Sequence, residues 1–362
     1  MLHFQDALNK FKSDHVRELS LSDEGMKFLK LRSLSRKYQM EYLIEKAGLD
    51  FGNTKSREWL KQLYESDLTE QIIEDAIREL YELAREERRA AEDGLVNELY
   101  KIQSFEWGGL HQNSLEKTIV DNYVKKIRSY DSLSIAIEND LHNSMRAYVL
   151  ASWYNHWTSI IIEDIFKDHR NVVPAIGLIK KIDFFVKNKP FDLKVTYLPE
   201  GYIKAQRKEF GLRPELTLMK KMARDLGVSH DKNTSDSFLI PDLWRKLDDH
   251  PNDNAKELVE ELKERRENIL NECIQNPTNL VRWLYENQGI RRFDASNRLF
   301  LVLIDKNNLF ESWKLKRAKP LIATVVNQYL DSADDNLGFE LDFLWEGNSY
   351  KTESDAIFVL KQ

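Results

Sequence analysis

Apolar residues recur at helical spacing through most of the first 150 residues. In DLTEQIIEDAIRELYELAREERRA, Ile73, Ile77, Leu80 and Ala84 fall on one stripe. Asp67 followed by Glu70 reads as a capping box opening this helix. The pattern carries it to about Tyr100 unless Gly94 breaks it. Gly108-Gly109 mark a loop, and a further helix capped by Asn113, with Glu116 three residues on, follows. The period changes after residue 150. A helix over Ser152–His169 leads into the apolar segment Val172–Ile176, and KIDFFVKNKPFDLKVTY then alternates as two strands around a short loop.

With Lys187–Pro190 as that loop and Asn188 and Pro190 as turn formers, Val186 pairs with Phe191, Phe184 with Leu193 and Ile182 with Val195. These six side chains share one face, and Asp183, Phe185, Asp192 and Lys194 take the other. Asp183 then lies opposite Lys194 and diagonal to Asp192, roughly 5–8 Å apart at the backbone. Helical patterns fill about 203–290, including the charged stretch 253–274. Strand patterns return at 297–305, in FELDFLWEG and in SDAIFVLK. The chain reads as α+β: a mixed β-sheet flanked by helices, with a large helical N-terminal region at 1–110. The remainder, 111–362, forms a second domain with its core hairpin at 181–197, a helical insertion and late strands over 297–359.

Composition narrows the class. The 362 residues are 42% hydrophobic and 31% charged, as in a well-packed globular protein. A single cysteine, Cys273, excludes an intramolecular disulfide and a multi-cysteine zinc site and leads to the expectation of a reducing, cytoplasmic setting. No apolar run approaches the length of a membrane span, and MLHFQDALNKFKSDH lacks the apolar region of a signal peptide. Net charge is −6, but its distribution is uneven. Lys180 to Lys208 holds eight basic residues against three acids, and further basic groups lie at 314–319 and at Arg291, Arg292 and Arg298. Such patches suit a polyanion held near a metal, although each alone is also an ordinary solvated surface. Neither a P-loop nor a dinucleotide fingerprint occurs. Asn276-Pro277-Thr278 reads as a helix-ending turn. Trp153, Tyr154 and Trp157 sit at helical spacing and read as core before they read as base-stacking platforms.

The chemistry lies on the hairpin. A buried charge is costly unless it is paired or binds a metal, yet Asp183 and Asp192 interrupt apolar, β-prone runs. Two carboxylates suit a hard cation such as Mg²⁺. That ion stabilises charge on a phosphate and activates water, with Lys194 orienting the water or neutralising developing charge. The alternative is an Asp–Lys pair on a solvated face, worth a few tenths of a kcal/mol. Glu261-Leu262-Lys263 repeats the acid-x-lysine string inside a helix, where residues two apart diverge and form no site.

Asp183 on one strand, followed across a short hairpin by Asp192-Leu193-Lys194, resembles the core of the PD-(D/E)xK nuclease superfamily, which includes most restriction endonucleases. The likeness covers about fifty residues, from the helix over Ser152–His169 to the hairpin. Ile182 stands where that family often has proline, and Asp192 where glutamate is commoner. The resemblance implies a metal-dependent endonuclease hydrolysing DNA phosphodiester bonds, of type II restriction kind. Mg²⁺ (Mn²⁺ substituting) would be bound by Asp183, Asp192 and the Leu193 carbonyl, with Lys194 beside the attacking water. It also implies an acid on the preceding helix. The IIE string favours Glu163, whereas the helical wheel favours its neighbour Asp164. Expected DNA contacts are Lys180, Lys181, Lys204, Arg207, Lys208, Arg291 and Arg292. Expected partners are double-stranded DNA, a second copy of the chain, since cutting both strands calls for two sites, and a cognate methyltransferase. The stripe at Ile73, Ile77 and Leu80 offers one dimer interface, or equally a face packed within the chain. The competing functions are a non-cleaving DNA-binding or assembly protein on a nuclease-like fold and a structure-specific repair or recombination nuclease.

Overall fold

A computed structural model describes residues 2–104, 119–177, 179, 181–231, 234–287, 297–333, 337–345 and 347–362. The expected loop at Gly108-Gly109 and the cap at Asn113 lie outside these residues. The architecture is mixed helix and sheet, consistent with α+β. Six strands are β1 (Val172–Pro174), β2 (Phe184–Val186), β3 (Lys189–Thr196), β4 (Arg298–Asp305), β5 (Phe339–Trp345) and β6 (Asn348–Lys361). They form one sheet in the order β1-β2-β3-β4-β6-β5. The first three run antiparallel, β3, β4 and β6 are mutually parallel, and β5 closes the far edge antiparallel to β6. All eight residues of β4 are buried, as expected of a parallel strand covered on both faces.

Both faces are covered because the sequence supplies helices on each side of the late strands. Helices His142–Lys167 and Lys319–Ser332 pack on Phe184, Val186, Phe191, Leu193 and Leu301. On the opposite face, helices Glu200–Glu209, Asp253–Gln275 and Thr278–Asn287 pack on Phe300, Val302 and Ile304. The helical insertion therefore returns to the sheet it interrupts, while three of its helices also share a small core of their own. Among the described residues no helix is long and apolar enough to cross a membrane.

The N-terminal helices form another apolar cluster, into which Val173, Ile179, Ile182 and Phe185 insert. The contact is close: a Cβ on Gly177 would lie 2.1 Å from the Ser33 carbonyl oxygen. Lys30, 1% exposed, anchors it from below. Its ammonium binds Glu70, Glu74 and, at 2.7 Å, the Asn188 side chain at the hairpin tip.

Helix Glu70–Leu99 runs through Gly94 as one piece. Its cap is Thr69, whose hydroxyl accepts from Ile72 N, rather than Asp67. Ile73, Ala76, Ile77, Leu80 and Tyr81 are buried, but Ala84 is exposed, and beyond it Arg85 and Glu92 turn inward. The apolar stripe is thus consumed within the chain, the second of its two expected uses, and is not open as a dimer interface.

The hairpin register differs from the expected one by two residues. Phe184 pairs with Phe191, Phe185 with Pro190 and Val186 with Lys189. The loop is only Lys187-Asn188, with φ of 48° and 59°, a pair of left-handed residues whose twist matches that of the flanking strands. Pro190 enters β3 near its start, where a missing N–H is tolerated. Slipping by two leaves the faces unchanged, because side chains alternate with period two. Ile182 is the exception to the six-residue face. It lies outside the ladder, next to Lys181 at φ 68°, and joins the N-terminal cluster instead.

Candidate active site

β3 carries Asp192, Leu193 and Lys194 at the point where the sheet changes from antiparallel to parallel pairing. The Asp192 amide donates to the Asn297 carbonyl at 2.9 Å, tying this turn of the strand to the entry of β4. Asp183 stands just before β2. Its amide donates to the Phe191 carbonyl at 2.8 Å, and its Oδ2 accepts from the Leu193 amide at 2.7 Å. The site thus joins the two acids through backbone, with the Leu193 amide as the bridge and the Leu193 side chain in the apolar core.

Lys194 does not stand opposite Asp183 in a cross-strand pair, as the expected register had it. Its Nζ lies 2.5 Å from Asp192 Oδ1, two residues back along the same strand face. The other oxygen, Asp192 Oδ2, lies 3.3 Å from the Nε of Arg298 at the start of β4. Asp192 is therefore buried between two cations. Asp183 differs: among the described residues no cation forms an ion pair with it. Burial pushes its carboxyl up to about 6, and the negative charges of Glu163 and then Asp192 push the same way, against the lesser pull of the Leu193 amide and Lys167.

Geometry separates the two helix acids. Asp164 is buried and held by Arg88 through two bonds of 2.8 and 2.9 Å, with Arg85 at 3.6 Å and the Tyr81 hydroxyl at 3.2 Å. These partners all come from helix Glu70–Leu99, so Asp164 fastens two helices together. Glu163 is half-exposed, accepts from Lys167 Nζ at 3.0 Å, and its charge is felt at Asp183. Of the pair, Glu163 is the acid whose charge acts on Asp183.

The basic residues divide. Lys204 and Lys208 are exposed. Lys181 is paired with Asp14 at 2.7 Å, and Arg207 is buried with its Nε on the Arg213 carbonyl at 2.9 Å, so Arg207 is not offered to a phosphate. Lys180, Arg291 and Arg292 lie outside the described residues. Arg317 of the 314–319 cluster is buried on the carbonyls of Leu99 and Ile102. Tyr154 is core, donating to the Trp313 carbonyl at 3.0 Å.

Two participants are not among the expected site residues, and only one of them leaves a signal in the sequence. Lys167 was legible as an i, i+4 partner of Glu163. Arg298 was visible only as one member of a basic cluster, and nothing in its spacing betrays that it is 2% exposed and points at Asp192.

The donor set fits a hard cation in kind. An ionised, half-buried Asp183 beside two further acids carries the excess of negative charge that a divalent ion relieves. Asp183 and Asp192 would be the holders. The arrangement is not already closed around an ion: among the described residues no group of three or more His, Cys, Asp or Glu is set to hold one. Compared with protein families, curated proteins and solved structures, the chain matches none.

Proposed function

We propose that this chain is a metal-dependent endodeoxyribonuclease of restriction type. The observation that carries the reading is Asp183: a half-buried carboxylate whose pKa desolvation raises, bound by a backbone amide and pressed by Glu163 and Asp192, on the hairpin whose next strand supplies Lys194. A fold-only sequence gains nothing from such a charge, since an apolar residue would cost less. The resemblance to the PD-(D/E)xK core rests on the same residues.

In this reading Asp183 and Asp192 bind Mg²⁺, which when bound supplies charge stabilisation to the phosphate and an activated water. The chain's own residues do the rest. The Leu193 amide holds Asp183 Oδ2 and fixes the direction of that carboxylate. Lys194, already at Asp192 Oδ1, gives a mobile ammonium to orient water or meet charge developing on the phosphate. Glu163 keeps the pocket negative, and Lys167 limits how negative. Phosphodiester hydrolysis needs little more than such positioning.

One observation favours the non-cleaving alternative: both oxygens of Asp192 are already satisfied by Lys194 and Arg298. A single assay separates the two. Purified protein is incubated with supercoiled plasmid in Mg²⁺, in Mn²⁺ and in chelator, and the fragment ends are sequenced. Metal-dependent cuts with uniform ends support the endonuclease. Intact plasmid with either metal, from protein that retains its fold, refutes it.

A further inference from the structure

β4 begins on Arg298, and three neighbouring elements fix where that residue sits. Its backbone is paired with Asp192 of β3 on one side and Ser354 of β6 on the other. The Ser354 hydroxyl donates to the Arg298 carbonyl at 2.6 Å. Beneath the guanidinium, at 5.1 Å, lies the ring of Tyr285 from helix Thr278–Asn287. Tyr285 itself is buried, so the side chain runs along a rigid aromatic floor to Asp192 Oδ2. A guanidinium is planar, carries its charge at any working pH and stacks on aromatic faces, which makes it the cation best suited to orient a carboxylate in a dry site.

We propose that Arg298 is a positioning residue for Asp192: by holding Oδ2 it leaves Oδ1 as the oxygen shared between Lys194 and an arriving divalent cation. This role rests on the endonuclease reading of the same hairpin. It explains why Asp192 is flanked by two cations of different kinds. Lys194 is partly exposed on a flexible stem and able to yield Oδ1, whereas Arg298 is locked and keeps Oδ2.

The proposal has a sign that separates it from plain electrostatics. Removing a positive charge beside a cation site strengthens cation binding if charge alone matters. Removing the group that orients a ligand weakens it, by some 10–100-fold for partners of metal ligands. Mn²⁺ binding to the full chain is measured by titration calorimetry for wild type, Arg298→Gln and Arg298→Lys, with circular dichroism as a check on folding. Positioning predicts at least tenfold weaker Mn²⁺ binding in both variants, because lysine keeps the charge but not the planar, stacked geometry. It also predicts that cleavage needs correspondingly more Mn²⁺, with the rate at saturating metal falling less. Should Arg298→Gln fail to fold, Arg298→Lys alone decides. Tighter or unchanged Mn²⁺ binding in the folded variants overturns the role while leaving the endonuclease reading intact. A wild type that takes up no Mn²⁺ overturns both.

Discussion

Replacing Asp183 by asparagine should make the metal-free fold more stable near pH 7.5 while ending cleavage. Asparagine keeps an oxygen to accept from the Leu193 amide and removes the charge that burial, Glu163 and Asp192 oppose. The folded carboxyl is raised to about 6 from 3.8, so the folded protein binds more protons than the unfolded chain between those values. The stability contributed by Asp183 is full below pH 3.8 and is lost as pH rises through about 6. A difference of about 2 units, at about 1.4 kcal/mol each, places roughly 3 kcal/mol on the ionised form at pH 7.5. Urea unfolding of wild type and Asp183→Asn, in chelator, at pH 5 and 7.5, reads this directly. The variant should gain up to about 3 kcal/mol over wild type at the higher pH and about half that at the lower. Added Mg²⁺ should narrow the gap by stabilising only wild type, by about 1.4 kcal/mol when Mg²⁺ is tenfold above its Kd. A variant less stable than wild type at pH 7.5, or a gap that does not change with pH, refutes the account of Asp183 as a strained, cation-seeking acid.

Lys194→Ala should lower cleavage by at least about a hundredfold, as expected of a lost charge-stabilising group, and should hardly move the unfolding midpoint, since Lys194 sits outside the apolar face; plasmid cleavage and a thermal melt check both. Glu163 and Asp164 should part company: Asp164→Asn should cost about 3 kcal/mol by removing the buried charge that holds Arg88 and faces buried Arg85, while Glu163→Gln should leave stability nearly unchanged and reduce cleavage. Equal effects of the two substitutions in urea unfolding and in cleavage would contradict the assignment of Glu163 to the site. Double-strand cutting should require two chains on the duplex; light scattering with and without target DNA checks this, and a monomer in both conditions that nicks only one strand contradicts it.

The fold was legible where side-chain period and burial coincide. The alternation in Phe184–Val186 and Phe191–Leu193, the continuous apolar run of β4 and the helical insertion all follow from pattern, and the structure places them as read. The hairpin register was misjudged because Asn188 and Pro190 both signal a turn, and only backbone conformation tells a two-residue loop from a four-residue one. The site's face survived because the error was an even number of residues. Ala84 and the Ile73 stripe show a different limit. A period states which residues share a side and says nothing of what covers it, and here the cover is the chain's own N-terminal helices. Glu163 and Asp164 are adjacent carboxylates with the same chemistry. Only the distant Arg85 and Arg88 decide which of them turns away from the site.

The charge balance of the hairpin links these points. Among the described residues Glu163 has Lys167, and Asp192 has Lys194 and Arg298, whereas Asp183 has a single backbone amide. Three acids and three cations would neutralise one another if they were shared evenly, but the sharing is uneven because Arg298 and Lys194 both fall to Asp192. That leaves the deficit on Asp183, a half-buried carboxylate between β2 and the strand that carries Lys194. A chain that needed only to fold would put an apolar residue at position 183 or move a lysine to it. In the proposed endonuclease that carboxylate, which has no cation partner among the described residues, would meet the arriving ion together with a braced neighbour that gives up only Lys194.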